Sequence, residues 1–369
     1  MQAQLKCIRG ACGATYSIDD VLYTCPRCGG LLEASYPGLS LDPAHWKKLW
    51  RERRLSNAPL DQSGVWRYRE LLPFLDFQSD TVATLHEGNT PLLPAQEAAR
   101  YAGMQALVFK HQGYNPTGSF KDNGMTCGAS QALHLGMARV ACVSTGNTSA
   151  SMAAYAAVSG MTAIIFLPHG NISFGKLAQA LEYGALTLQV EANFDQILAL
   201  VRVLAERTGL YLLNSMNPFR LEGQKTIMVE MLDQRDWLVP DWVIVPGGNL
   251  AMFPLSARDC ANCWPWALLT GCRNWRWSRR TARPRSTTIF TLRSAGNFGR
   301  CRIRRLWLPP SGLAIPCHGP RRYSRLRHRA APSSELLSRR SRTLKRSSDA
   351  AESAASLPLP PPSPDSRNW

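Results

Sequence analysis

Short apolar segments alternate with longer segments of helical periodicity between residues 81 and 250. The apolar segments have the length of buried parallel strands and lie at 105–110, 139–144, 162–168, 186–191 and 242–245. Between them, helical runs lie near 120–135, 147–160, 173–183, 194–207 and 220–235. This alternation predicts an α/β sandwich with right-handed crossovers. Ligands of such sheets bind at the carboxyl ends of the strands.

A lysine lies at the start of the first of these predicted helices. A turn over residues 115–118 leads to Ser119 as a predicted helix cap, so that Lys121 falls in the first helical turn. The unpaired N–H groups there disfavour a second positive charge, and a nucleophilic lysine needs a neutral amine. A surface lysine beside an aspartate is the alternative interpretation.

Three further segments carry candidate ligands. The loop Ser144-Thr-Gly-Asn-Thr-Ser149 offers hydroxyl and N–H groups to an anion such as a substrate carboxylate, although it also suits a capping turn. Pro246-Gly-Gly-Asn-Leu250 ends a strand with paired glycines, whose N–H groups can close around a phosphate. Arg220 and Lys225 are candidates for binding a substrate phosphate, or are solvated helix charges.

Together these motifs resemble those of threonine synthases and their relatives among the pyridoxal-phosphate (PLP) enzymes of fold type II. The resemblance also includes His86-Glu-Gly-Asn-Thr-Pro-Leu92, and it extends from the N-terminus to Leu250. Asn-Pro-Phe-Arg-Leu-Glu-Gly-Gln-Lys at 217–225 points to threonine synthase in particular. The fold implied is α/β, with the three-layer sandwiches of the tryptophan synthase β-like proteins.

The resemblance implies a cytoplasmic, homodimeric enzyme that converts O-phospho-L-homoserine and water to L-threonine and phosphate. Lys121 would hold PLP and act as the base. The other implied cofactor ligands are Asn147, Gly247, Gly248, Asn249 and Leu250. The implied substrate ligands are Ser144, Thr145, Thr148, Arg220 and Lys225. The alternatives are a threonine dehydratase, a cysteate synthase or a non-catalytic truncated product.

Two cysteine pairs lie near the N-terminus. Cys7-x4-Cys12 and Cys25-x2-Cys28 can place four thiolates around zinc, and a segment this short gains much of its folding free energy from a metal. Four free thiols are the alternative. We predict a zinc-ribbon-like segment at 1–36, of the kind that one branch of threonine synthases carries, with a structural role.

The formal net charge of +17 belongs entirely to the tail: residues 1–250 carry a net −1 and residues 251–369 a net +18. The tail also holds 6 of the 11 tryptophans and 13 of the 25 prolines, without helical or strand periodicity.

Restoring one G after the Leu250 codon allows the reading Leu-Gly-Asn-Val-Ser-Ala-Leu-Gly-Lys, which completes the predicted phosphate-binding loop. We therefore hypothesise a frameshift there. A basic extension that binds nucleic acid is the alternative, which the exposed Trp, Leu and Cys residues disfavour.

These observations predict four regions. They are the zinc-ribbon-like segment at 1–36, a linker or arm at 37–80, an incomplete PLP-binding region at 81–250 and a basic, disordered, out-of-frame tail at 251–369. Trp46 and Trp50 lie at helical spacing in the arm and are expected in a core or interface. No secretory signal or membrane span is recognisable, and we predict neither a membrane nor a nucleic-acid partner.

Overall fold

The computed structural model describes residues 3–39, 42–77, 81–169 and 174–246, together with the backbone of four short strands between 275 and 316. The N-terminal segment forms an antiparallel sheet in the order β2-β1-β3 from β1 (Gln4–Cys7), β2 (Thr15–Ser17) and β3 (Leu32–Ser35). Leu5 and Leu32 of this sheet share a core with Trp66 and Phe219. The cysteine-bearing segment therefore packs against residues of the predicted arm and of the 81–250 region.

The predicted arm is helical. It contains α1 (Pro43–Arg54), α2 (Pro59–Gln62) and a 3₁₀ helix (Trp66–Leu71). The Asp42 side chain accepts hydrogen bonds from two N–H groups at the start of α1, as an N-cap should. Trp50 is fully buried and packs edge-on against Tyr68, so its predicted core position is confirmed.

A four-stranded parallel sheet lies at the centre of the described fold. Its strands are β6 (Arg139–Val143), β7 (Thr162–Pro168), β8 (Leu186–Val190) and β9 (Tyr211–Leu212), in the order β8-β7-β6-β9. The helices between them are α5 (Asn147–Val158), α6 (Phe174–Glu182) and α7 (Phe194–Thr208). These elements confirm the α/β prediction between 139 and 208, while β9 was not predicted.

Alternate residues of the strands face two separate cores. Val140 and Cys142 pack with α5, whereas Ala141 and Val143 pack with Ile197 and other residues of α7. Because successive side chains of a strand point to opposite faces, helices cover both sides of the sheet. The result is the predicted three-layer sandwich.

The outer strands differ from the prediction. Segment 105–110 was expected to be a buried parallel strand, but only β5 (Val108–Lys110) forms, and it pairs antiparallel with β4 (Leu92–Pro94). Phe109 is half exposed, so an apolar composition did not mean burial. α3 (Gln96–Ala102) connects the two strands.

Strand pairing also reaches into the tail. β10 (Trp242–Pro246), predicted as parallel, pairs antiparallel with β12 (Thr287–Ser294), which pairs with β11 (Trp275–Ala282). The sequence showed no strand periodicity in the tail and did not predict β11 and β12. Most residues of β12 are β-branched or aromatic, which favours a strand, whereas three of the eight residues of β11 are arginine. β13 (Leu306–Trp307) and β14 (Ile315–Pro316) form a further short pair.

Two long helices, α4 (Lys121–His134) and α8 (Pro218–Asp233), cross at glycines. A Cβ atom on Gly223 would lie 1.8 Å from the backbone oxygen of Asn123. The close approach brings Arg220 of α8 near the start of α4. Across the part of the chain described, every helix is too short or too polar to traverse a bilayer.

Candidate active site

Lys121 is the first residue of α4, and its side chain is buried, with 8% of the residue exposed. The predicted cap is displaced by one position, since Phe120 is the N-cap and makes no side-chain capping bond. Ser119 still contributes, because its Oγ accepts a hydrogen bond of 3.3 Å from the Lys121 backbone N–H. The structure thus confirms that Lys121 lies in the first turn, and it contradicts the surface-lysine alternative.

The environment of Lys121 favours the neutral amine. Burial, together with the smaller effect of the positive charge of Arg220, lowers the pKa of Lys121 to about 7. Sequence reasoning attributed this effect to the helix N-terminus, whereas desolvation is the larger cause. The Nζ atom lies 4.0 Å from the centroid of the Phe120 ring. A buried amine with this pKa can act as a nucleophile and as a base near neutral pH.

Asp122 holds the turn that precedes Lys121. Its carboxylate accepts hydrogen bonds from the Thr117 N–H at 2.7 Å, the Thr117 hydroxyl at 2.6 Å and the Ser151 hydroxyl at 2.6 Å. Asp122 is fully buried, and desolvation raises its pKa although these bonds oppose the rise. Sequence reasoning missed this role, because Ser151 belongs to another helix.

Glu87 is a second buried carboxylate that sequence reasoning missed. Its side chain accepts hydrogen bonds from the hydroxyls of Ser63 at 2.5 Å and Tyr155 at 2.6 Å. Burial raises the pKa of this carboxyl group. His86 and Asn89, on either side of the Glu87-Gly88 pair, have positive φ values of 58° and 51°. Glu87 belongs to the His-Glu-Gly-Asn-Thr motif that the sequence analysis singled out. Its hydrogen-bond partners Ser63 and Tyr155 lie outside that motif, so the sequence did not reveal its buried position.

The loop from Ser144 to Ser149 connects β6 to α5, as predicted. α5 begins at Asn147 after Gly146, which provides no side-chain cap. The alternative interpretation, in which a side chain of this loop caps the N-terminus of α5, is therefore wrong. Ser144 Oγ accepts a 3.2 Å hydrogen bond from the Gly146 N–H. Asn147 is exposed, and Thr148 is partly buried.

A cavity of about 760 Å³ lies beside this loop, at the carboxyl ends of β6, β7 and β8. Its lining consists of Ser144, Thr145, Gly146, Pro168, His169, Ala192, Asn193 and Phe194. Two of the predicted substrate ligands, Ser144 and Thr145, therefore border a cavity at the edge where ligands of parallel sheets bind. Asn147 and Thr148 do not line it.

The two cations predicted to bind a substrate phosphate have different surroundings. Arg220 is 1% exposed, and its Nη1 donates to the Leu213 carbonyl at 2.8 Å. Its Nε and Nη2 atoms have no partner within the described residues. Burial lowers the pKa of Arg220 to about 10. Two of the three guanidinium nitrogens of Arg220 therefore lack a protein partner among the described residues.

Lys225 instead belongs to a buried ion pair. Its Nζ lies 2.5 Å from the carboxylate of Glu222, which also accepts a 2.6 Å hydrogen bond from the Tyr36 hydroxyl. Tyr36 follows β3, so this cluster joins α8 to the N-terminal segment. The pairing supports a structural role for Lys225 and argues against the predicted phosphate contact. The predicted cofactor-phosphate ligands Gly247, Gly248, Asn249 and Leu250 lie outside the described residues.

The four N-terminal cysteines converge. The Sγ atoms of Cys7, Cys12, Cys25 and Cys28 all lie within 4.8 Å of one another. The Cys7–Cys28 and Cys12–Cys25 pairs are 3.5 Å and 3.7 Å apart. Tetrahedral zinc with Zn–S bonds near 2.3 Å requires sulfur atoms about 3.8 Å apart. The donor set therefore fits a structural zinc ion.

Comparison with known proteins agrees with these motifs. Residues 83–253 match the profile of a family described as pyridoxal-phosphate dependent enzyme. A threonine synthase of Methanocaldococcus jannaschii is 49% identical over 244 residues, which are 66% of this chain and 57% of the relative. A threonine synthase of Methanosarcina acetivorans is 49% identical over 245 residues, 66% of this chain and 56% of the relative. The chain thus spans less than two thirds of the length of these relatives.

Among solved structures, maize serine racemase matches with a TM-score of 0.37 and 22% identity. The superposition covers 51% of this chain and 49% of the racemase.

Proposed function

We propose that the chain, whose residues 83–253 match the profile of the pyridoxal-phosphate-dependent enzymes, has the catalytic site of a threonine synthase. The reaction would convert O-phospho-L-homoserine and water to L-threonine and phosphate. The single observation that carries the proposal is the buried Lys121 at the start of α4, whose pKa is lowered to about 7. The 49% identity to threonine synthases directs the choice of substrate.

The described residues fit the cofactor. Lys121 supplies a neutral amine for the covalent link, and two buried guanidinium nitrogens of Arg220 have no partner among the described residues. Asn147 would contact the phenolic oxygen of the cofactor, and Gly247, Gly248, Asn249 and Leu250 would hold its phosphate. When bound, PLP supplies an electron sink that stabilises substrate carbanions.

The protein groups have separable tasks. The Lys121 amine would take up and return protons at the substrate carbons, a role that needs a pKa near the working pH. Ser144, Thr145 and Thr148 would bind the substrate carboxylate through their hydroxyls and the free N–H groups of α5. Arg220 would bind the substrate phosphate, for which its bidentate guanidinium is suited. Lys225 was also predicted there, but its Glu222 partner makes it the weaker candidate.

Three other functions are alternatives to threonine synthesis. A threonine dehydratase or a cysteate synthase would use the same lysine and cofactor on a different substrate. A non-catalytic truncated product is the third alternative. Offering O-phospho-L-homoserine, L-threonine and O-phospho-L-serine to the same preparation separates the enzymatic alternatives.

The direct test adds PLP to the purified 369-residue chain and records the visible absorbance of lysine-bound cofactor. We expect this absorbance in the wild type and its loss in Lys121→Ala, with Lys176→Ala as the control. Phosphate release from O-phospho-L-homoserine, accompanied by threonine, would support the full proposal. Cofactor binding without turnover would favour the non-catalytic product, and absorbance retained in Lys121→Ala would overturn the assignment of the lysine.

Three further parts of the proposal concern the rest of the protein. Cys7, Cys12, Cys25 and Cys28 would bind one structural zinc ion. The chain would act in the cytoplasm, and it would form a homodimer, which light scattering of the purified protein tests. Residues 1–36, 37–80, 81–250 and 251–369 would be its functional regions.

A further inference from the structure

The crossing of α4 and α8 contains three buried polar side chains with atoms that lack a hydrogen-bond partner among the described residues. Asn123, Arg220 and Gln224 are each 1% exposed. Within the described part of the chain, both amide atoms of Asn123, both of Gln224 and two guanidinium nitrogens of Arg220 have no hydrogen-bond partner. Buried groups of this kind are nearly always paired in native proteins, either with protein or with ordered water.

All three residues lie at the close crossing of the two helices, where a Cβ atom on Gly223 would meet the backbone of Asn123. Arg220 and Gln224 lie one turn apart on α8 and therefore on the same face of that helix. A Cβ atom on Gly128 would lie 3.2 Å from Cγ of Arg220, and one on Gly124 would lie 2.7 Å from Nε2 of Gln224. The two glycines thus form a groove in which both long side chains lie.

The mixture of donors and acceptors indicates the class of ligand. The unpaired atoms are the donors of two amides and a guanidinium, together with two amide oxygens, which only accept. An anion bound among all three side chains would satisfy the donors but repel the two amide oxygens. A metal cation would bind the amide oxygens but repel the guanidinium and the amide N–H groups. Water both donates and accepts, and a buried water molecule typically makes about three hydrogen bonds.

We propose that ordered water bound between α4 and α8 joins Asn123, Gln224 and Arg220, and that it orients the Arg220 guanidinium. Gln224 is then a positioning residue for Arg220, whose charge acts on Lys121. The orienting role rests on the proposed function, in which Arg220 binds the substrate phosphate. The water site itself does not depend on that function.

The first experiment compares thermal unfolding of the PLP-free wild-type chain with that of Gln224→Met. Methionine keeps the volume of glutamine but cannot hold water, so a water site predicts a Tm lowered by about 2 to 10 °C. A dry site predicts an unchanged or raised Tm, because two unpaired polar atoms are removed, and that result overturns the proposal. Gln96→Met, at an exposed position of α3, is the matched control and should leave the Tm unchanged.

A crystal structure of the wild type decides the same question if Gln224→Met does not fold. We expect at least one water within about 3.2 Å of the Gln224 amide. Direct hydrogen bonds among the three side chains, without water, would overturn the proposal.

The orienting role is tested with inorganic phosphate as the probe in calorimetry. We expect the dissociation constant to rise about tenfold in Gln224→Met, a loss that corresponds to 1.4 kcal/mol, and to stay unchanged in Gln96→Met. A lowered Tm with unchanged phosphate affinity would overturn the orienting role alone. If the wild type binds no phosphate, the roles of Arg220 and Gln224 both fail, while unfolding and crystallography still decide the water site.

Discussion

The Ser151 hydroxyl donates a 2.6 Å hydrogen bond to Oδ1 of Asp122. This bond ties the helix that begins at Lys121 to the helix that begins at Asn147. One turn further along α5, Tyr155 donates to Glu87 of the His-Glu-Gly-Asn-Thr motif at 2.6 Å. Two buried carboxylates therefore hold three sequence motifs in one arrangement, and α5 is the element that they share.

Ser151→Ala should destabilise the fold by about 1 to 3 kcal/mol, because it leaves the buried Asp122 carboxylate with one donor fewer. Denaturant unfolding measures this loss. Ser159→Ala is the matched control on the same helix segment, since the Ser159 hydroxyl is buried without a partner among the described residues. Its removal should be neutral or stabilising. Equal losses in both variants would contradict the role given to Ser151.

Lys121 should react with an amine-specific aldehyde probe with a half-maximal rate near pH 7, while exposed lysines react half-maximally near pH 10. Mass spectrometry of labelled peptides across a pH series measures both. The folded-state pKa lies below the unfolded value of 10.5, so the unfolded state binds the extra proton between about pH 7 and 10.5. The contribution of Lys121 to stability therefore rises with pH in that window. Lys121→Met should remove this rise, and a labelling midpoint near 10 would refute the burial argument.

Gly223→Ala should cost at least about 3 kcal/mol of stability, because its Cβ would lie 1.8 Å from the Asn123 backbone oxygen and force α4 and α8 apart. Gly175→Ala in α6 is the control. Among the described residues no atom lies within 4 Å of its Cβ position, so alanine should stabilise that helix by up to about 1 kcal/mol. Unfolding midpoints of both variants measure the difference. A loss of less than about 1 kcal/mol in Gly223→Ala would show that α4 and α8 can move apart with little loss of stability.

One zinc ion per chain should be found by elemental analysis of the purified protein, and Cys25→Ser should lose it and lower the Tm. Cys142→Ser should keep the metal, since Cys142 lies in the core of the parallel sheet and not in the cysteine cluster. Equal zinc content in the wild type and Cys25→Ser would contradict the proposed site.

A DNA read across codons 246–260 should show one additional G after the Leu250 codon. The restored frame would continue the glycine loop as Leu-Gly-Asn-Val and replace the basic tail. Codons incompatible with that restoration would refute the frameshift. In that case the antiparallel pairing of β10 with β12 describes the natural chain.

Local pattern was enough to predict much of the fold and part of the site. Apolar segments and helical periodicity identified β6, β7, β8 and the helices between them, because strand and helix periods are properties of neighbouring residues. The same reasoning placed Lys121 in the first turn of α4, and it identified four cysteines as one cluster. It was wrong about β5 and β10, whose apolar composition did not reveal the antiparallel strands beside them.

The sequence by itself thus determined three strands of the parallel sheet, the position of the lysine and the four cysteines that form one cluster. Only the tertiary structure decided how those residues behave. The pKa of Lys121 depends on burial and on Arg220, which lies on another helix. Lys225 has an ion-pair partner in Glu222 and a neighbour in Tyr36 of the N-terminal segment. Desolvation, ion pairing and strand pairing arise between segments far apart in the chain, so the spacing of neighbouring residues cannot predict them.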